Sequence, residues 1–139
     1  MDLHTALDWV ATKQHAVLIT IRADGRPQSS DINYTTTDRS ISISVTDSRA
    51  KTRNMRRDNR VVLHVSDPAT WSYVSLDGTV ALTPVAGSVD DDTVDQLVEH
   101  YRMARGEHPD WAEYRQAMVD DKRLLARFTP ISAVGGINV

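Results

Sequence analysis

No cysteine occurs in this 139-residue chain, which excludes disulfides and thiolate metal sites together. Without such staples the fold must rest on its core, and this length is enough for one domain to bury one. A single domain over residues 1–139 is therefore expected. The lack of thiols suits a reducing cytoplasm, the expected location. No apolar run approaches the roughly 20 residues of a membrane span. The start, Met1-Asp2-Leu3-His4, has neither the basic nor the apolar stretch of a signal peptide. Excess positive charge is missing too: the net charge of −3 argues against a general nucleic-acid binder. The five histidines show no zincin-type spacing and no serine or carboxylate motif beside them, so no metal is assigned. His64 reads as a packed residue, and His100 and His108 as surface ones.

What is present is mostly strand pattern. Ala16–Arg22 is rich in β-branched residues, and Asp24-Gly25 marks a tight turn after it. Gln28–Thr37 is polar but β-prone. Ser40–Thr46 alternates strictly, with Ile41, Ile43 and Val45 on one face and Ser42, Ser44 and Thr46 on the other. The first face is core; the second is small and polar and leaves room for something. Arg60–Ser66 and Trp71–Thr83 read as further strands, the latter broken at Asp77-Gly78. Leu124–Pro130 and Ile131–Val139 close the chain as two strand-like segments. Helical spacing marks residues 3–14, Ser48–Asp58, Asp90–Gly106 and Asp110–Lys122. Asp90, Asp91 and Asp92 crowd a first helical turn, which is capping chemistry. Antiparallel strands joined by tight turns, with helices inserted, give an α+β antiparallel barrel with peripheral helices.

Positive charge is concentrated. Six of the sixteen basic residues lie within Arg49–Arg60. This segment follows the strand with the small polar face, so a helix N-terminus with Arg49, Lys51 and Thr52 in its first turn makes an anion site. The bland reading is a solvated, salt-bridged helix, and composition alone favours it at least equally. A nucleic-acid site is the weaker reading, because no helix-turn-helix or interleaved aromatics accompany the patch. Tyr34 could donate a proton to a reduced substrate, but packing is the simpler role.

The run Arg49-Ala50-Lys51-Thr52-Arg53-Asn54-Met55-Arg56-Arg57-Asp58 before Arg60–Val65 resembles the pyridoxamine 5′-phosphate oxidase-like family of split β-barrels. It is more closely similar to the actinobacterial branch that uses the deazaflavin coenzyme F420. Asp24-Gly25-Arg26-Pro27-Gln28, Trp71-Ser72-Tyr73, Tyr114-Arg115-Gln116-Ala117-Met118 and Pro130-Ile131-Ser132 agree in order. The resemblance implies an FMN-binding split barrel working as a homodimer, with cofactors in grooves at the interface. It implies that Arg49, Lys51 and Thr52 hold the cofactor phosphate with Asn54 nearby. Gln28, Ser29, Ser30 and Asn33, with Ser44 and Thr46, would line the polyol and ring. Trp71 and Tyr73 would come from the partner subunit. Asp31 departs from the pattern; its carboxylate would face away or meet Arg26.

The expected function is F420H2-dependent reduction of an unsaturated or conjugated small-molecule substrate. Arg53, Arg56 and Arg57 would suit an acidic cofactor tail, or only solvent. An FMN-dependent oxidase or reductase is the alternative enzyme, and a non-catalytic F420 or flavin carrier the alternative without turnover.

Overall fold

The computed structural model describes residues 1–139. Helix α1 (Leu3–Val10) is capped by Asp2, whose carboxylate accepts from the Thr5 N–H at 2.9 Å. It buries Ala6, Leu7 and Val10, and it ends well short of residue 14, where Thr12, Lys13 and Gln14 offer no apolar face. Strands β1 (His15–Ile21) and β2 (Pro27–Asn33) form the expected hairpin around Asp24-Gly25, with Gly25 at φ 86°.

The segment read as one strand, Gln28–Thr37, is two. Tyr34 separates β2 from β3 (Thr35–Thr37). β2 pairs with β1, whereas β3 pairs with β4 (Ser40–Thr46). The remaining strands are β5 (Arg60–Asp67), β6 (Ser72–Leu82) and β7 (Arg123–Gly136), and the antiparallel sheet runs β2-β1-β5-β6-β7-β4-β3. Its two edge strands are therefore joined by a single residue. One residue spans under about 4 Å, so the sheet must curl until its edges meet, which is the geometry of a barrel. Tyr34 sits at this seam, 2% exposed, and its hydroxyl donates to the Val10 carbonyl at 2.6 Å. Burial pushes its pKa upward. It is a packed residue with no proton to spare for substrate.

Two other segments are continuous where breaks were expected. β6 runs through Asp77-Gly78, and β7 joins both closing segments, pairing with β4 at one end and β6 at the other. The register slips between Asp77 and Gly78, opposite Pro130-Ile131-Ser132. A proline in a central strand needs such a bulge. A side chain at Gly78 would meet the Thr129 carbonyl and the Phe128 ring; here glycine marks close packing of strand on ring rather than a turn.

The inside of the barrel holds Leu18, Ile41, Ile43, Leu63, Leu76 and Phe128, each at most 1% exposed. Helix α2 (Ala50–Arg57) lies across one end and inserts Met55. Helices α3 (Asp92–Arg105) and α4 (Trp111–Asp120) form a hairpin over the outer face of β4 and β7, with a smaller core of Val94, Leu97, Met118 and Leu125. Asp91 caps α3 through the Val94 N–H and also accepts from Gly87 and Ser88. Rings of Tyr101, His108, Trp111 and Tyr114 pack against one another at the hairpin's end. No helix is long and apolar enough to cross a membrane.

Candidate functional site

The end of β4 and the start of α2 are fastened together from within. Thr52, fully buried, donates its hydroxyl to the Thr46 carbonyl at 2.7 Å. Asn54, 5% exposed, donates to Thr20 at 3.0 Å and to the Gln28 side chain at 2.8 Å, and accepts from Arg57 at 2.8 Å. Thr52, Asn54 and Gln28 thus hold the helix at its angle to the barrel. Their polar atoms meet protein partners.

Most of the basic run is likewise tied to the protein. Arg53 donates to the Ser48 carbonyl, Arg56 pairs with Asp47, Arg57 with Asn54 and Arg60 with Asp58. Arg49, the N-cap residue, makes no side-chain capping bond, and neither its side chain nor that of Lys51 has a hydrogen-bond or ion-pair partner in the protein. Within this run, the two cations singled out for the anion site are the two whose side chains the fold leaves without a partner.

Lys51 opens into a groove of about 410 Å³ between the barrel edge and the α3–α4 hairpin. Asn33 and Ser44 line it from the sheet, Tyr101 and Tyr114 from the helices, and Arg123 from the start of β7. Burial first, then the charges of Arg49 and Arg123, lower the Lys51 pKa from its usual 10.5. The one carboxylate on the groove wall, Asp31, meets His15 at 3.1 Å, not Arg26. Burial pushes the Tyr114 hydroxyl up to about 12, and it donates to the Leu97 carbonyl at 3.0 Å.

The other sequence-derived candidates are dispersed. The pleat of β2 turns Gln28 and Ser30 to the half-buried side, while Ser29 and Asn33 lie on the exposed one. Thr46 is half-buried at the α2 junction. Trp71 and Tyr73 line a different groove of about 390 Å³, together with His64, Pro68 and Asn138. Trp71 is 84% exposed at φ 56°, a conformation that a bulky residue adopts only when its surroundings impose it. Asn138 imposes it by donating to the Trp71 carbonyl at 2.8 Å and the Thr70 carbonyl at 3.2 Å. Tyr73 stacks on His64. Within one chain these aromatics do not reach the Lys51 groove's wall.

A family model described as pyridoxamine 5′-phosphate oxidase matches residues 4–132. The chain belongs to the pyridoxamine 5′-phosphate oxidase family. Its antiparallel curled sheet is that family's split barrel, whose members bind flavin-type cofactors and include oxidoreductases. Solved structures share the fold. A conserved hypothetical protein, Rv2991 from Mycobacterium tuberculosis, aligns at TM-score 0.75 and 22% identity over 97% of this chain and 84% of its own. An F420 reductase aligns at TM-score 0.66 and 20% identity, covering 87% of this chain and 89% of its own. HutZ, a heme storage protein from Vibrio cholerae, aligns at TM-score 0.70 and 15% identity over 99% and 98%. The same fold thus serves a reductase and a heme storage protein.

Sequence reasoning missed Arg123, Tyr101, Tyr114 and His100. Arg123 stands 72 positions after Lys51 and becomes its neighbour only through the pairing of Thr46 with Arg123 across β4 and β7. His100 is not a surface residue. It lies on the inward side of α3 and shares a 3.0 Å hydrogen bond with Thr35, and burial, with Arg127 second, lowers its pKa to about 4. The folded pKa lies below the unfolded 6.5, so the unfolded chain takes up the proton first. Stability is intact above about pH 6.5 and falls as pH drops towards 4, by at most on the order of 3 kcal/mol. His100→Gln is expected to flatten that acid loss, read from urea midpoints at neutral and acid pH.

Proposed function

We propose that this oxidase-family barrel is a deazaflavin-dependent reductase, transferring hydride from reduced coenzyme F420 to an unsaturated or conjugated acceptor. The reading rests on one observation above all: Arg49 and Lys51 stand without side-chain partners, close to one another, and Lys51 opens into a groove that Ser44 lines from the small polar face of β4. A phosphate is the group that such a pair binds well, because both cations donate charge-assisted hydrogen bonds. Arg49 and Lys51 would hold it, while the Thr52 hydroxyl, already given to Thr46, fixes the turn that presents them. Asn33 and Ser44 would line the polyol and ring, with Thr46 at the phosphate end. Asn54 and Gln28 act through the angle of α2, and Ser29 and Ser30 lie along the same edge strand.

When bound, the reduced ring supplies the hydride; the chain's own residues bind it, orient it and exclude water. Tyr101 and Tyr114 would wall the groove from the helical side. Trp71 and Tyr73 would close it from a second copy of the chain. A homodimer is in keeping with the apolar outer face of the sheet, where Ile19, Ile21 and Val62 lie beside Ile131 and where Ile131 and Val134 are 66% and 61% exposed. This would be a protein of the cytoplasm, where reduced deazaflavin is used.

FMN is the alternative cofactor, since the same cations fit its phosphate. Arg53, Arg56 and Arg57 do not decide between them, because each already has a partner in the fold. Titrating the apoprotein with FMN and with F420 tests the choice; tight FMN binding with no F420 affinity would overturn the deazaflavin reading. Reduced F420 offered with a panel of conjugated acceptors is expected to be oxidised. Binding without oxidation would make the protein a carrier.

A further inference from the structure

The Lys51 groove holds more positive charge than one singly charged anion can balance. Arg123 is the excess. Its Nε is buried without a hydrogen-bond partner, a costly state for a charged group, and its guanidinium makes no ion pair. Its position is not accidental slack. The Arg123 carbonyl accepts from the Ala86 N–H at 2.8 Å, and the preceding Lys122 carbonyl accepts from the Asp47 N–H at 3.0 Å. Lys122 itself takes the left-handed conformation, φ 52°, to start the strand there. Arg105, exposed at the groove rim, is likewise unpaired. Three cations thus converge on one cavity whose single carboxylate is engaged by His15.

We propose that Arg123 takes up a second negative charge of the bound ligand, so that the groove selects a doubly charged anionic group over a lone monoanion. The chemistry is that of a phosphomonoester dianion, or of a phosphodiester with a carboxylate beside it. This rests on the reading that a phosphorylated cofactor occupies the groove. FMN carries the first kind of group and F420, with its acidic tail, the second.

Small anions test the charge preference apart from any cofactor. Methyl phosphate at about pH 8 is a dianion, and dimethyl phosphate is a monoanion of similar shape. In the full chain, methyl phosphate is expected to bind about 10-fold more tightly or better and to shift the Arg123 Nε–H nuclear magnetic resonance signal, assigned by its loss in Arg123→Gln. Arg123→Gln should abolish the preference, and Arg123→Lys, which keeps the charge, should retain most of it. Equal affinities, or an unmoved Arg123 signal, would overturn the proposal.

Calorimetry with FMN, F420 and riboflavin separates the sources. Arg123→Gln is expected to weaken the phosphorylated ligand about 10- to 100-fold and to leave riboflavin unchanged. Loss confined to FMN identifies the monoester, and loss for F420 the diester with its carboxylate. If the native chain binds neither cofactor yet passes the methyl phosphate test, the cofactor reading fails and the charge preference stands. If cofactor binds and Arg123→Gln binds it equally well, the reverse holds.

Discussion

Lys51→Ala is expected to weaken binding of the phosphorylated cofactor about 100-fold while leaving the apoprotein as stable as the native chain, or more so. The two effects have one origin. In the apoprotein Lys51 is a half-buried cation near Arg49 and Arg123, with no carboxylate to offset it, and its pKa is lowered accordingly. A folded pKa below the unfolded one means that folding opposes the charge. The cost is fully present below the lowered pKa, and it is relieved as pH rises through that value towards 10.5. Alanine removes the cost at neutral pH. Ligand binding reverses the sign: a phosphate between these cations turns repulsion into charge-assisted hydrogen bonds worth about 1.5–3 kcal/mol each. Isothermal titration with FMN and F420 reads the first effect, and thermal unfolding of the apoprotein reads the second. A variant with full cofactor affinity would remove Lys51 from the site. A variant that loses affinity and stability together would make Lys51 a structural residue.

The division of labour within Arg49–Arg60 was half legible in the sequence. That a cation-rich helix follows a strand with a small polar face could be read from Ser42, Ser44 and Thr46 alternating with Ile41, Ile43 and Val45, because side-chain period 2 is a local property. Which cations remain free could not. Arg56 is neutralised by Asp47 and Arg57 donates to the Asn54 side chain, pairings that depend on how α2 turns after Ser48. The barrel itself was legible from its hairpins. Its closure was not, because Tyr34 interrupts a run with uniform strand propensity, and only pairing partners on opposite sides of the sheet reveal the break. Arg123 was invisible for the same reason: its meaning comes from the register of β4 on β7. His100 read as surface because α3 has one apolar stripe, and the histidine faces the polar Thr35 at its margin. Long-range strand register for Arg123, and the packing of α3 and α4 on the sheet for His100, Tyr101 and Tyr114, placed the residues that the sequence missed.

Register also makes Gly135→Ala the substitution with the largest expected cost to stability. Gly135 pairs with Val74, next to the Tyr73–Gly136 pair, where β7 passes the second groove. Its φ of 146° is one that L side chains rarely adopt, and an added Cβ would fall on the Tyr73 carbonyl and the backbone of Val74. Backbone cannot swing aside as a side chain would; one strand must leave the other. Strain and clash together should cost about 3 kcal/mol or more, a large part of a typical domain's 5–15 kcal/mol. Two other glycines calibrate the effect. Gly25 has φ 86° with nothing within 4 Å of an added Cβ, so Gly25→Ala should lose only the conformational cost of about 1 kcal/mol. Gly136 has open space and no unusual φ, so Gly136→Ala should stay within about 0.5 kcal/mol of native. Urea unfolding of the three variants checks this order. If Gly135→Ala unfolds at the native midpoint, the β6–β7 register at Tyr73 is wrong, and with it the placement of Trp71 and Tyr73 as the aromatic edge offered to a second subunit.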